Sequence, residues 1–280
     1  MIRDALERRV RSVLQSSRER FGSRTVQDST ETVRGGNYLY LWQWAFLEQQ
    51  QGRSAAVARS RRMADWTTEF PLLRGLTIDR EETRFLDRRR FATRFFFDGD
   101  FDRVQNRDFC RALISSSDSF RDRMDSLRAE VGSETLVVNV RRGDYYSVPA
   151  HARRFGLDIR THVAEGIALA RAAGRSVEDV LVVSDDVEWC MRELSDILGT
   201  PRSLHHRTSM FDDLAALATS RTLILANSTF SYWGSYLAAS SDEEHLSISP
   251  PYHEVLADGK AFSPMLDPLW PRTTRREQPK

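Results

Sequence analysis

Leu136-Val137-Val138-Asn139-Val140 runs straight into Arg141-Arg142-Gly143-Asp144-Tyr145, and this passage decides the fold. A short run rich in β-branched residues reads as a buried strand. Arginines, a glycine and an aspartate at its end read as a loop with work to do. The pattern repeats downstream. Val180 to Val183 leads into Ser184-Asp185-Asp186, and Leu223 to Ala226 leads into Asn227-Ser228-Thr229-Phe230-Ser231. Helical stretches are predicted between and after these runs, over 159–173, 187–198 and 211–219. Strands alternating with helices imply a parallel sheet with crossover helices, so the class is α/β. Ligands of such sheets bind beyond the carboxyl ends of the strands, where all three polar sets would meet.

At 280 residues the chain exceeds one typical domain. The break is expected at Val131-Gly132-Ser133-Glu134, giving domains 1–130 and 131–280, with the last residues returning to the first. The first domain opens on an amphipathic helix over 2–20. Next comes Gly35-Gly36-Asn37, a glycine pair heading a helix from Tyr38 to Gln51, where backbone N–H groups could approach an anion. The aromatics Tyr38, Tyr40, Trp42, Trp44 and Phe46 read as packing of that helix, with Tyr38 a weak candidate for stacking on a sugar. Residues 60–130 are dense in charge and phenylalanine and show no clear alternation.

Formal net charge is +1, from 41 basic and 40 acidic residues. So balanced a chain has no global field for nucleic acid or an anionic membrane, and an anionic ligand must be caught by a local arginine cluster. Lysine occurs only at Lys260 and Lys280. Cys110 and Cys190 have neither metal nor redox spacing and read as neutral thiols in a reducing compartment. No run approaches the ~18 apolar residues of a membrane span, and no leader-like apolar segment opens the chain, so a cytoplasmic location is expected. Asp98-Gly99-Asp100 resembles a metal motif, but Arg103 and Phe109 occupy the positions where a calcium loop needs glycine and glutamate. The adjacent pair His205-His206 points to opposite faces of an extended chain. No metal is expected.

Each polar set has a plain reading when taken alone. Paired arginines form surface ion pairs, and Ser-Asp-Asp and Asn-Ser-Thr are helix caps. Together, guanidinium forks, hydroxyls and a helix N-terminus make a metal-free diphosphate cradle. An aspartate such as Asp185 or Asp213 could accept from a base edge.

Arg141-Arg142-Gly143-Asp144-Tyr145 resembles the His-Val-Arg-Arg-Gly-Asp-Tyr motif of the α-1,2-fucosyltransferases, glycosyltransferase family 11. Asn227-Ser228-Thr229-Phe230-Ser231-Tyr232-Trp233 is similar to that family's Asn-Ser-Thr-Phe-Ser-Trp-Trp segment. The glycine pair with Tyr40-Leu41-Trp42-Gln43-Trp44-Ala45-Phe46 is a looser match. The resemblance implies a GT-B fold, two Rossmann-like domains with a cleft between them. It implies an inverting, metal-independent transfer of L-fucose from GDP-fucose to a hydroxyl of a glycan or glycosylated small molecule. It implies Arg141 on the β-phosphate, assisted by Thr229 and Ser231, Asp213 facing the guanine, and Gly35, Gly36 and Asn37 closing over the donor. Arg142 and Asp144 support the loop, while Asn227, Ser228, Ser184 and Asp185 complete the donor set. The family's histidine two residues before the first arginine is here Asn139, which would substitute in base recognition. The general base is assigned to Asp144, with Asp158, His151 and Glu31 as alternatives. Two other readings stay open: the same chemistry with another nucleotide sugar, and a non-catalytic relative that binds nucleotide or glycan.

Overall fold

A computed structural model describes residues 24–29 and 33–274. The helix expected over 2–20 and Glu31 lie outside them. The chain divides into two compact units after Arg94.

In the first unit β1 (Thr25–Gln27) is followed by helix α1 (Asn37–Gln50) and β2 (Ala55–Ala58). Two short helices, α2 (Ala64–Glu69) and α3 (Pro71–Gly75), lead to β3 (Thr77–Ile78) and β4 (Arg88–Arg90). All pairings are parallel, in the order β3-β2-β1-β4. Tyr38, Leu39, Tyr40, Leu41 and Trp42 are all buried. Tyr38 OH lies 3.2 Å from Ser60 Oγ, and Trp42 Nε1 donates to Thr77 Oγ1 at 2.8 Å. The aromatic run is therefore packing, and Tyr38 is too deep to offer a ring face to a sugar.

The second unit begins with α4 (Arg103–Ser115) and α5 (Asp118–Leu127), then β5 (Leu136–Val140). Two short helices, α6 (Gly143–Ser147) and α7 (Pro149–Phe155), precede α8 (Ile159–Ala172) and β6 (Val180–Ser184). Helices α9 (Val187–Glu193) and α10 (Ser195–Leu198) lead to β7 (Arg202–Ser203). Helix α11 (Met210–Thr219), β8 (Thr222–Ile224), α12 (Thr229–Ser241) and β9 (Leu246–Ile248) complete the sheet. Its order is β7-β6-β5-β8-β9, parallel throughout. Counted from β5 this is 3-2-1-4-5, the Rossmann order, and the first unit repeats its first four positions. The expected α/β class and strand convergence both hold. Leu136, Val138, Val140, Val180 and Val182 face Val163, Ile167 and Ala170 of α8 in one apolar cluster.

Residues 95–130, given to the first domain from sequence, belong to the second unit. Phe109 of α4 meets Trp233 of α12 edge-on at 5.6 Å, Arg111 Nε donates to the Ser240 carbonyl at 3.0 Å, and Arg123 of α5 pairs with Asp212 of α11. The C-terminal stretch through Thr274 is held within the second unit. Asp267 takes the guanidinium of Arg103 through both oxygens, at 2.9 and 2.5 Å.

Buried His162 pins the same stretch. Its Nε2–H donates to the Leu225 carbonyl at 2.8 Å, so Nδ1 accepts from Thr273 Oγ1 at 2.7 Å. Burial pushes the imidazole down to about 4, and does the same to His253 behind Tyr232. Unfolded, both protonate near 6.5. The folded chain thus binds fewer protons below that pH, so the stability these rings contribute is full above 6.5 and is lost as pH falls towards 4. Tm is expected to drop between pH 7 and pH 5, and less steeply in His162→Gln. Parallel slopes for the two proteins would contradict this.

Candidate active site

The strand order reverses between β5 and β8, and the crevice beyond their carboxyl ends is where such sheets take ligands. Arg141 leaves β5 at that point. Its Nη2 lies 2.6 Å from Asp144 Oδ1 and its Nη1 lies 2.8 Å from Asp185 Oδ2. These contacts use two of five N–H donors, and the side chain stays 39% exposed. Asp185 also accepts from the backbone N–H of Arg142 at 2.8 Å, so one carboxylate orients the guanidinium and closes the loop. Gly143 sits at φ +21°, and a Cβ there would fall 2.6 Å from Asp185 Oδ2. Only glycine lets this carboxylate approach.

Arg142 does not share the crevice role. Its guanidinium lies over the Trp189 ring at 4.0 Å, and Nε donates to Asp186 Oδ2 at 2.9 Å. It is a strut between the loops after β5 and β6. Ser184 and Asp186 follow the capping reading: Ser184 Oγ accepts from Asp186 N at 3.0 Å, and Asp186 accepts from Trp189 N at 3.2 Å. Asp185, between them, reaches the crevice. Asn139 is buried and donates through Nδ2 to the Val183 carbonyl at 2.8 Å. That donor is used within the sheet rather than offered to a base.

The loop after β8 divides similarly. Asn227 Nδ2 donates to the Phe155 carbonyl at 2.6 Å, and Ser231 Oγ accepts from Ala226 N at 3.0 Å. Both side chains fix the turn rather than face a ligand. Ser228 holds the N-cap position of α12 without a side-chain cap bond, and Thr229 opens the helix. The two loops communicate through α7: Tyr145 stacks on Phe155 at 4.7 Å, and Arg141 lies 5.7 Å from the Tyr145 ring. No sequence signal pointed to Phe155, because its role depends on a carbonyl and a ring face supplied by the turn of α7.

Asp213 is buried in α11 and accepts from Arg207 Nη2 at 2.5 Å. Burial pushes its carboxyl up to about 6, Arg207 pulls it down, and Asp212 and Asp185 push it further up. Helix α11 packs against β6, which ends one residue before Asp185. Asp144 turns its second oxygen to His151, whose Nδ1 lies 3.5 Å away. Asp158 is spent as the N-cap of α8. Gly35, Gly36 and Asn37 belong to the first unit. Gly35 takes φ +52°, while the N–H groups of Asn37, Tyr38 and Leu39 donate at 3.2 Å to the carbonyls of residues 34, 35 and 36. Those amides are engaged in the helix's own first turn.

The sequence profile of Glycosyl transferase family 11 matches residues 77–252. The chain belongs to glycosyltransferase family 11. The chain is 26% identical over 107 residues to an α-1,2-colitosyltransferase of Escherichia coli, covering 38% of this chain and 37% of that protein. It is 28% identical over 129 residues to the O-antigen biosynthesis glycosyltransferase WbnK of Escherichia coli, covering 42% and 38%. The matched region thus spans well under half of each relative. Among solved structures, the NodZ α-1,6-fucosyltransferase soaked with GDP-fucose aligns over 77% of this chain and 93% of its own, at 14% identity and TM-score 0.42. The Escherichia coli heptosyltransferase WaaC with ADP aligns over 82% and 87%, at 12% identity and TM-score 0.39. Both alignments fall below the level at which they bear on this site.

Proposed function

We propose that this family 11 chain is an inverting glycosyltransferase that moves L-fucose from GDP-fucose to a hydroxyl of a glycan or glycosylated small molecule, with no metal ion. One observation carries the reading: Arg141, gripped by Asp144 and Asp185, leaves β5 at the switch point, and the neighbouring strand β8 leads into the N-terminus of α12. As the glycosidic bond breaks, negative charge grows on the leaving diphosphate. A guanidinium already in place and a helix N-terminus stabilise that charge more in the transition state than before it. Ser228 and Thr229 supply hydroxyls at the same helix end. Asp213 is the acceptor for the base, with Arg207 holding its other side.

The general base shifts from Asp144 to His151. Asp144 has one oxygen taken by Arg141 at 2.6 Å and the other 3.5 Å from His151 Nδ1, which makes no hydrogen bond, whereas His151 keeps a side chain 44% exposed. A carboxylate on the Nδ1 side favours the imidazolium that forms when Nε2 takes the acceptor's proton. The relative named as a colitosyltransferase favours a second reading, the same chemistry with a different sugar.

Thermal unfolding in EDTA tests the donor. GDP is expected to raise Tm well above UDP or ADP, since a nucleotide at ~100 times its Kd adds about 2.7 kcal/mol. Equal shifts with all three would remove guanine recognition, and no shift with any would leave the non-catalytic glycan-binding reading.

A further inference from the structure

Residues 84–94 read Arg84-Phe85-Leu86-Asp87-Arg88-Arg89-Arg90-Phe91-Ala92-Thr93-Arg94, with five arginines and one acid. That acid is buried and paired with Arg24 at 3.2 Å. With only +1 on the whole chain, everything outside this segment is net negative. Global balance therefore conceals a local concentration of positive charge. Among the described residues it lies along β4, an edge strand paired with β1. Arg84, Arg88, Arg89 and Arg94 are exposed. Arg90 turns inward, over the Trp44 ring at 4.6 Å. Among these cations stand two phenylalanines facing water, Phe85 at 87% exposure and Phe91 at 64%.

We infer that this edge of the first unit docks on a bilayer carrying anionic phospholipids. Arginines on an edge strand repel a second strand, and alone they would read as protection against edge pairing. Protection does not account for two protruding phenylalanines beside them, since an exposed apolar ring weakens that defence. It also argues against a second copy or an extended peptide as the occupant. A nucleic acid strand would run beyond so short a patch, and the rest of the chain sums to a net negative charge, whereas a lipid surface need touch only the patch. Phenylalanine enters the boundary between headgroups and acyl chains, and guanidinium groups pair with phosphates above it. This proposal is independent of the donor site.

The test is co-sedimentation of the full chain with vesicles of equimolar phosphatidylglycerol and phosphatidylcholine, against phosphatidylcholine alone. Binding is expected to the anionic vesicles and to weaken with added salt. The double variant Arg88→Gln/Arg89→Gln should weaken it roughly 25-fold, at about fivefold for each basic residue near the surface. Phe85→Ser/Phe91→Ser should weaken it by about tenfold or more, while Arg121→Gln/Arg128→Gln on the second unit should change nothing. Thermal unfolding of each variant confirms that it is folded. Absent or equal binding to the two vesicle types overturns the proposal, as does binding indifferent to the phenylalanines. Tighter binding to a single-stranded oligonucleotide than to vesicles, lost in the same variants, replaces it with a nucleic acid surface.

Discussion

Arg141→Ala is expected to lower turnover about 10²–10³-fold, the range seen when one preorganised charge-stabilising donor is removed. The fold should survive, since Arg141 is part-exposed and its ion pairs with Asp144 and Asp185 lie at the rim rather than in the core. Exposed pairs of this kind contribute at most about 1 kcal/mol to stability. Arg141→Lys should recover only part of the loss. An ammonium is a point charge and cannot satisfy two carboxylates while presenting a planar edge to a diphosphate. Steady-state transfer rates alongside Tm separate the two effects. A near-normal rate with an intact fold would remove Arg141 from the chemistry.

Gly234→Ala should produce the largest loss of stability. Gly234 lies where α12 crosses α11, and a Cβ there would fall 2.4 Å from Leu217 Cβ and 2.7 Å from its Cδ1. Leu217 is fully buried, and its Cβ is fixed by the α11 backbone, so the helices must separate. Overpacking of this kind costs ~1–3 kcal/mol, occasionally more, against about 1 kcal/mol gained in helix propensity. Gly234→Val forfeits most of that gain and adds bulk, so its loss should exceed alanine's. For a chain of this size the net loss lowers Tm by roughly 2–4 °C per kcal/mol. The same shift would move the N-terminus of α12, which carries Ser228 and Thr229, so donor affinity should fall with stability. An alanine variant as stable as wild type would show that the crossing has slack.

The sheet of the second unit was legible because β5, β6 and β8 lie in short apolar runs rich in β-branched residues, each of which leads into a polar loop. The domain break was not. Helix α4 carries a capping box, Asp102 with Gln105, and α5 is capped by Ser117. Yet what assigns them to the second unit is Phe109 against Trp233 and Arg123 against Asp212, contacts between residues far apart in sequence. Two-residue strands such as β3 and β7 carry too little pattern to be read.

Within the site, Arg141 and Asp185 followed from their places at strand ends. The inward turns of Asn139, Asn227 and Ser231 did not. A strand position tells which face a side chain leaves from, but whether its amide or hydroxyl meets a ligand or a neighbouring carbonyl depends on the turn beside it. Phe85 and Phe91 were read only as part of a charge-dense stretch, because exposure is a tertiary property.

The most direct measurement compares calorimetric binding of GDP and GMP by wild type and Arg141→Ala. If the guanidinium after β5 receives the outer phosphate, wild type favours GDP by a wide margin and the variant loses about tenfold or more of it, as expected for a charge-assisted contact of ~1.5–3 kcal/mol. An undiminished preference for GDP in the variant would place the diphosphate elsewhere and contradict the assignment.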